Sequence, residues 1–146
     1  MTNLLKELLS WEGTPYMRGQ RVKRTAVDCV NFLAGVLDAL YKSVPLPVLK
    51  MPLDIGIHSK RDSWIMNRRL IEAYPHISVR NNDVEPGDVI LAKRGLGPGH
   101  VLIVGPELNT VWHASSGGGV VKTGIAQIGQ VVRVWRLLEK IKWQIP

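Results

Sequence analysis

The strongest constraint on this chain is a change of hydrophobic period near His76: before it apolar residues recur at helical spacing, and after it short runs of valine and isoleucine alternate with turn residues. In residues 2–10 the apolar side chains are Leu4, Leu5, Leu8 and Leu9, and Gly13, Thr14 and Pro15 then break the pattern. Residues 29–42 carry Val30, Leu33, Val36, Leu37 and Leu40 at steps of three and four, preceded by Asp28, a good N-cap that sets Cys29 in the first helical turn. Pro45, Pro47 and Pro52 stop any helix, and a shorter third candidate runs from Asp62 to Ala73. Strands are expected near 76–80, 88–93, 100–104, 109–115, 119–123 and 130–136, parted by Asn81-Asn82-Asp83, Gly95 to Gly99, Gly105-Pro106 and Gly117 to Gly119. Helices followed by consecutive strands with short turns predict an α+β domain with an antiparallel sheet of about five to six strands. With 146 residues, 45% of them hydrophobic, and no repeat or linker, one domain over 1–146 is expected.

Charge narrows the partners less than it first suggests. A net charge of +7 and a pI of 9.9 attract any anionic surface, be it nucleic acid, anionic wall polymer or phosphate head groups. The basic residues form only small clusters, Arg18/Arg21/Lys23/Arg24 and Arg68/Arg69, each read as a solvated face, so no specific nucleic-acid partner is expected. The N-terminus lacks a basic start followed by an apolar stretch, and no apolar segment is long enough to span a bilayer, so neither a signal peptide nor membrane insertion is expected.

The single cysteine excludes an internal disulfide and a cysteine-based zinc site, leaving Cys29 as a small buried hydrophobe, an intermolecular crosslinker or a reactive thiol. At a helix N-terminus it meets unpaired backbone N–H groups and the positive end of the dipole, both of which favour the thiolate. The neighbouring carboxylate opposes a second negative charge, so Asp28 is expected to turn away and cap the N–H of Val30 or Asn31. A nucleophilic cysteine needs a base. Of the four histidines, His58 and His76 sit in surface-like contexts, whereas His100 and His113 lie on consecutive strands joined through Gly105 and Pro106. A register with His100 opposite His113 also pairs Leu102 with Val111 and Val104 with Asn109, leaving 105–108 as a four-residue loop. Directly opposed side chains have Cβ atoms about 5 Å apart, close enough for one imidazole to bond and orient the other.

Trp11-Glu12-Gly13-Thr14-Pro15-Tyr16, Asp28-Cys29, Val84-Glu85-Pro86-Gly87-Asp88-Val89-Ile90, Gly99-His100-Val101 and Trp112-His113-Ala114-Ser115 resemble, in order, the motifs of NlpC-type papain-like cysteine peptidases. The resemblance covers Trp11 to Arg136 and implies a papain-like core with the nucleophile helix packed on the sheet that bears the histidines. It implies Cys29 as nucleophile, His100 as general base, His113 as the third member that orients it, and Tyr16 and Asp28 as residues lining the nucleophile and a substrate-amine pocket. It further implies hydrolysis of peptidoglycan stem peptides, at γ-D-glutamyl bonds to a diamino acid, with no metal or cofactor. The chain departs from the family where Val30-Asn31 replaces Ser-Gly, removing a hydroxyl that helps hold the peptide terminus, and Gln20 stands where a second glycine is common. The segment from Val44 to Arg61 is long enough to form a wall of the cleft. A domain of this size without an export signal resembles peptidases delivered by phage tails, so tail proteins are expected partners and the virion, or otherwise the cytoplasm, the expected location. A catalytically silent tail or assembly subunit with the same fold is the alternative.

Overall fold

The computed structural model describes residues 2–41, 68–94 and 97–138. Helix α1 (Thr2–Trp11) leads through a small antiparallel ribbon, β1 (Arg21–Val22) and β2 (Ala26–Val27), into helix α2 (Cys29–Leu40). A helical segment, α3, covers 68–72. Six strands follow: β3 (His76–Val79), β4 (Val89–Arg94), β5 (Gly97–Val104), β6 (Thr110–Ser115), β7 (Gly119–Gly124) and β8 (Gln130–Leu137). They form one antiparallel sheet in the order β3-β8-β4-β5-β6-β7, a meander from β4 to β7 whose last strand returns to separate β3 from β4. The anticipated α+β class and all six anticipated strands are present. The β1–β2 ribbon was not anticipated, because two-residue strands carry no periodicity to read. Its turn places Arg24 at φ 65°, and the buried hydroxyl of Thr14 accepts the Arg24 N–H at 2.8 Å. His58, the Val44–Arg61 segment and the first part of the third helix lie outside the described residues.

Helix α2 is the spine of the core. Its buried residues include Cys29, Val30, Phe32, Leu33, Val36 and Leu37, and it packs on β5 and β6 on one side and on α1 on another. Each large apolar side chain so buried contributes about 1.5–3 kcal/mol, which explains why a helix apolar on nearly every face is held in place. Leu4, Leu8 and Trp11 of α1 complete this layer, with the Trp11 ring edge-on to Phe32 at 5.9 Å. Gly35 lets Trp11 approach, since a Cβ there would meet the indole. A second, smaller cluster that includes Ile90, Leu102, Val111 and Val134 shows that the sheet is also covered elsewhere.

Two bulges shape the sheet beside β4. The pairing with β5 steps from Ala92–His100 to Lys93–Pro98, and that with β8 from Leu91–Arg133 to Ala92–Val131. Extra residues opposite one stretch of β4 increase coiling and re-aim neighbouring side chains. The first bulge falls immediately before His100.

The Val84-Glu85-Pro86-Gly87-Asp88 motif is a structural turn. Asp88, 1% exposed, accepts the Glu85 N–H at 2.8 Å and two guanidinium bonds from Arg136, each 3.0 Å. Gly87, at φ 90°, sits so close to the Tyr41 hydroxyl that a Cβ would stand 2.5 Å from it. Burial, then the charge of Asp88, pushes Tyr41 up to about 12.

Candidate active site

Asp28 is extended, at φ −104° and ψ 177°, and caps α2: its Oδ1 accepts the Asn31 N–H at 2.8 Å. The carboxylate therefore turns along the helix start, as the sequence predicts. Its other oxygen accepts the Gly19 N–H at 2.7 Å and the Asn31 side-chain amide at 3.2 Å. The residue is 0% exposed. With three N–H donors on two buried oxygens, Asp28 is occupied in holding the protein together.

Asn31 extends this network. Its Oδ1 accepts Arg21 Nε at 3.0 Å, so Arg21 is tied through Asn31 to the helix cap. Burial holds the Arg21 guanidinium below its ordinary value, against the opposing pull of Asp38, Tyr74 and Asp28. Arg21, half-buried, therefore does not belong to a solvated basic face, whereas Lys23 is exposed and also pairs with the buried Glu7 at 3.0 Å over the Trp11 ring. Sequence patterning missed both contacts because the partners come from other elements. Gln20 is exposed.

Cys29 opens α2 and is 5% exposed. The segment before it closes one side of the site. Residues Gly13 and Thr14 bond to Val120 of β7 (both 3.0 Å), while Pro15 and Met17 bond to Val27 of β2 at 2.9 and 3.0 Å. Tyr16 is held between these stitches. Burial, then the charges of Cys29 and Asp28, raises its hydroxyl to about 12, against Arg18, so Tyr16 remains an O–H donor beside Cys29 at neutral pH.

His100 and His113 meet. His100 Nε2 and His113 Nδ1 lie 2.6 Å apart, with the rings at 89° and centroids separated by 4.7 Å. Val101 and Ala114, their chain neighbours, belong to the same buried cluster as Cys29. The hairpin register differs from the expected one: Ile103 pairs with Trp112 and Val104 with Val111. Asn109 adopts φ 58° and ends the loop in place of pairing, and the Gly105 N–H bonds to Thr110 O at 3.0 Å. The strands have slipped by two residues, which keeps both histidines on one face and makes them diagonal neighbours. His113 Nε2 lies 3.1 Å from Thr123 Oγ1 on β7, a partner no local motif announces. His76 is half-buried, with Nδ1 at 2.7 Å from Tyr74 O, and takes no part in this group.

Among the described residues no group of three or more His, Cys, Asp or Glu side chains is arranged to hold a metal ion. None of the described helices is long and apolar enough to cross a membrane.

No family sequence model matches the chain, and neither does any curated protein sequence. Solved structures do match. The NlpC/p60 domain of the peptidoglycan hydrolase SagA aligns with 93% of this chain and 97% of its own length, at a TM-score of 0.59 and 21% identity. The P60 domain of an antigen from M. avium subspecies paratuberculosis aligns with 94% of each chain, at 0.60 and 17%. An NlpC/p60 family protein from Bacillus cereus aligns with 94% of this chain at 0.63 and 17%, and this chain spans 40% of its length. The chain thus has the papain-like α+β fold of NlpC/p60 domains.

Proposed function

We propose that the chain is a cysteine peptidase that hydrolyses amide bonds in the stem peptides of peptidoglycan. The carrying observation is the 2.6 Å bond between His100 Nε2 and His113 Nδ1 on the two strands against which the helix headed by Cys29 packs. In this reading His100 takes the Cys29 proton, and the sulfur attacks the scissile carbonyl. His100 then returns the proton to the leaving amine, and water, deprotonated by the same imidazole, releases the acyl group and restores the thiol. His113 holds the ring of His100 in the required orientation. The first turn of α2 presents N–H groups outside the helix's own ladder, and Tyr16 adds an O–H donor; both suit a developing oxyanion.

The peptidoglycan substrate is supported by the likeness to the SagA domain and by the ordered motifs. Cleavage at γ-D-glutamyl bonds and delivery with a phage tail rest on the sequence resemblance alone. Asp28 contributes to this site by fixing the helix start and the loop at Gly19. One observation favours a second reading, a silent binding platform: the carboxylate assigned to a substrate amine already accepts three protein N–H donors and is 0% exposed.

The test is release of amine termini from purified peptidoglycan. Turnover by the wild-type chain, abolished by Cys29→Ala with circular dichroism unchanged, is the expected result. Wall binding without turnover by wild type establishes the platform reading, and undiminished activity in Cys29→Ala overturns the nucleophile.

A further inference from the structure

The two-histidine contact continues into a third strand. His113 pairs with Val121 of β7, and Thr123, two residues on, lies on the same face, where its Oγ1 stands 3.1 Å from His113 Nε2. His100, His113 and Thr123 therefore form a diagonal line across β5, β6 and β7, joined nitrogen to nitrogen and nitrogen to oxygen. With His100 Nε2 facing His113, the proposed mechanism exchanges the proton at His100 Nδ1.

We propose that Thr123 is a positioning residue that fixes the tautomers of both histidines by accepting a hydrogen bond from His113 Nε2. The inference rests on the cysteine peptidase reading and deepens it.

The proton count determines the direction. For His100 to act as a base at Nδ1, its neutral ring must carry its proton on Nε2, and that N–H must donate to His113 Nδ1. The same holds once His100 is an imidazolium, since both of its nitrogens then donate. His113 must accept at Nδ1 in either state, so its own proton sits on Nε2 and needs an acceptor. Thr123 Oγ1 is at the distance for that role. In the reverse arrangement the hydroxyl donates to His113 Nε2, His113 Nδ1 donates to His100 Nε2, and the His100 proton sits on Nδ1, where it blocks the base. The hydroxyl can serve either arrangement, but the competent one needs it as an acceptor for the buried His113 Nε2–H, since His113 is 3% exposed and solvent is a poor substitute partner.

Thr123→Val keeps the branched shape suited to a strand and removes only the hydroxyl; Thr123→Ser retains it. The first measurement is the tautomer of His113 in the folded wild-type chain, read from side-chain nitrogen shifts of histidine-labelled protein by NMR, which requires no turnover. The proton is expected on Nε2, moving partly to Nδ1 in Thr123→Val and returning in Thr123→Ser. On a stem-peptide substrate, kcat is expected to fall by roughly five- to tenfold in Thr123→Val, the effect of one ordinary hydrogen bond, with KM unchanged and the acid limb of the pH profile displaced. Thr123→Ser should restore both. A wild-type His113 protonated on Nδ1, or a folded Thr123→Val with wild-type tautomer and kcat, overturns the proposal. Loss of turnover in Cys29→Ala beside an unaffected Thr123→Val leaves the peptidase reading standing and this one refuted. An inactive wild type with the proton on Nε2 does the reverse.

Discussion

The backbone N–H of Gly19 donates to Asp28 Oδ2 across 2.7 Å, so a single buried carboxylate holds the loop before β1 and the first turn of α2 together. Asp28→Asn conserves shape but sets an amide NH2 against the donors of Gly19 and the Asn31 side chain. Flipping the amide moves the conflict to the Asn31 backbone N–H. The expected cost is about 2–3 kcal/mol, for a buried donor left without its acceptor. Urea unfolding of the two proteins measures it, and an unchanged midpoint would remove Asp28 from its structural role.

In the proposed mechanism His113 orients His100 by accepting at Nδ1, so the size of the defect on replacement should follow acceptor capacity. His113→Asn keeps an oxygen that can face His100 and should retain part of kcat, whereas His113→Leu removes the acceptor and should lose roughly a thousandfold. Steady-state kinetics on a stem peptide separate the two. Equal losses in both variants argue that the ring packs and does not orient.

The fold was legible where periodicity is strong. The helix from Cys29, the strand positions and the pairing of the two histidine strands follow from apolar spacing and turn residues alone. The hairpin register was not, because Asn109 can either pair in a strand or adopt the left-handed region, and only the observed φ of 58° decides. Contacts between elements distant in sequence were equally hidden. Arg21 looks like part of a basic face until Asn31 is seen to accept its Nε, and Thr123 is an unremarked strand threonine until the β6–β7 register brings it to His113.

The site's edge also depends on a close backbone approach that predicts a sharp contrast between two neighbouring glycines. Gly119 adopts φ 72°, and a Cβ there would collide with the Thr14 carbonyl oxygen, whereas one on Gly117 meets nothing within 4 Å. Gly119→Ala must either strain the backbone or push the Thr14–Tyr16 segment away from β7, at an expected cost of roughly 1–3 kcal/mol. Gly117→Ala should be close to neutral. Thermal melts of both variants, with wall-peptide release measured alongside, test whether the Tyr16 segment needs β7 to hold its place.

Burial leads the causes that raise Tyr16, Tyr41 and Tyr74, each to about 12, and this ties stability to alkaline pH. Their hydroxyls ionise near pH 10 in an unfolded chain but only near 12 in the folded one. Below about pH 10 all three are neutral in both states and the folded protein keeps its full advantage. Above that value the unfolded chain releases protons that the native state retains, so stability falls as pH rises and the loss is complete once the folded hydroxyls also ionise. The urea midpoint should therefore decline steeply between pH 10 and 12. Tyr74→Phe, which removes a hydroxyl near Arg21 but none of the groups proposed to react, should make that decline shallower, because one of the three hydroxyls no longer ionises in the unfolded state. An identical slope in Tyr74→Phe and wild type would show that these tyrosines do not drive the alkaline transition.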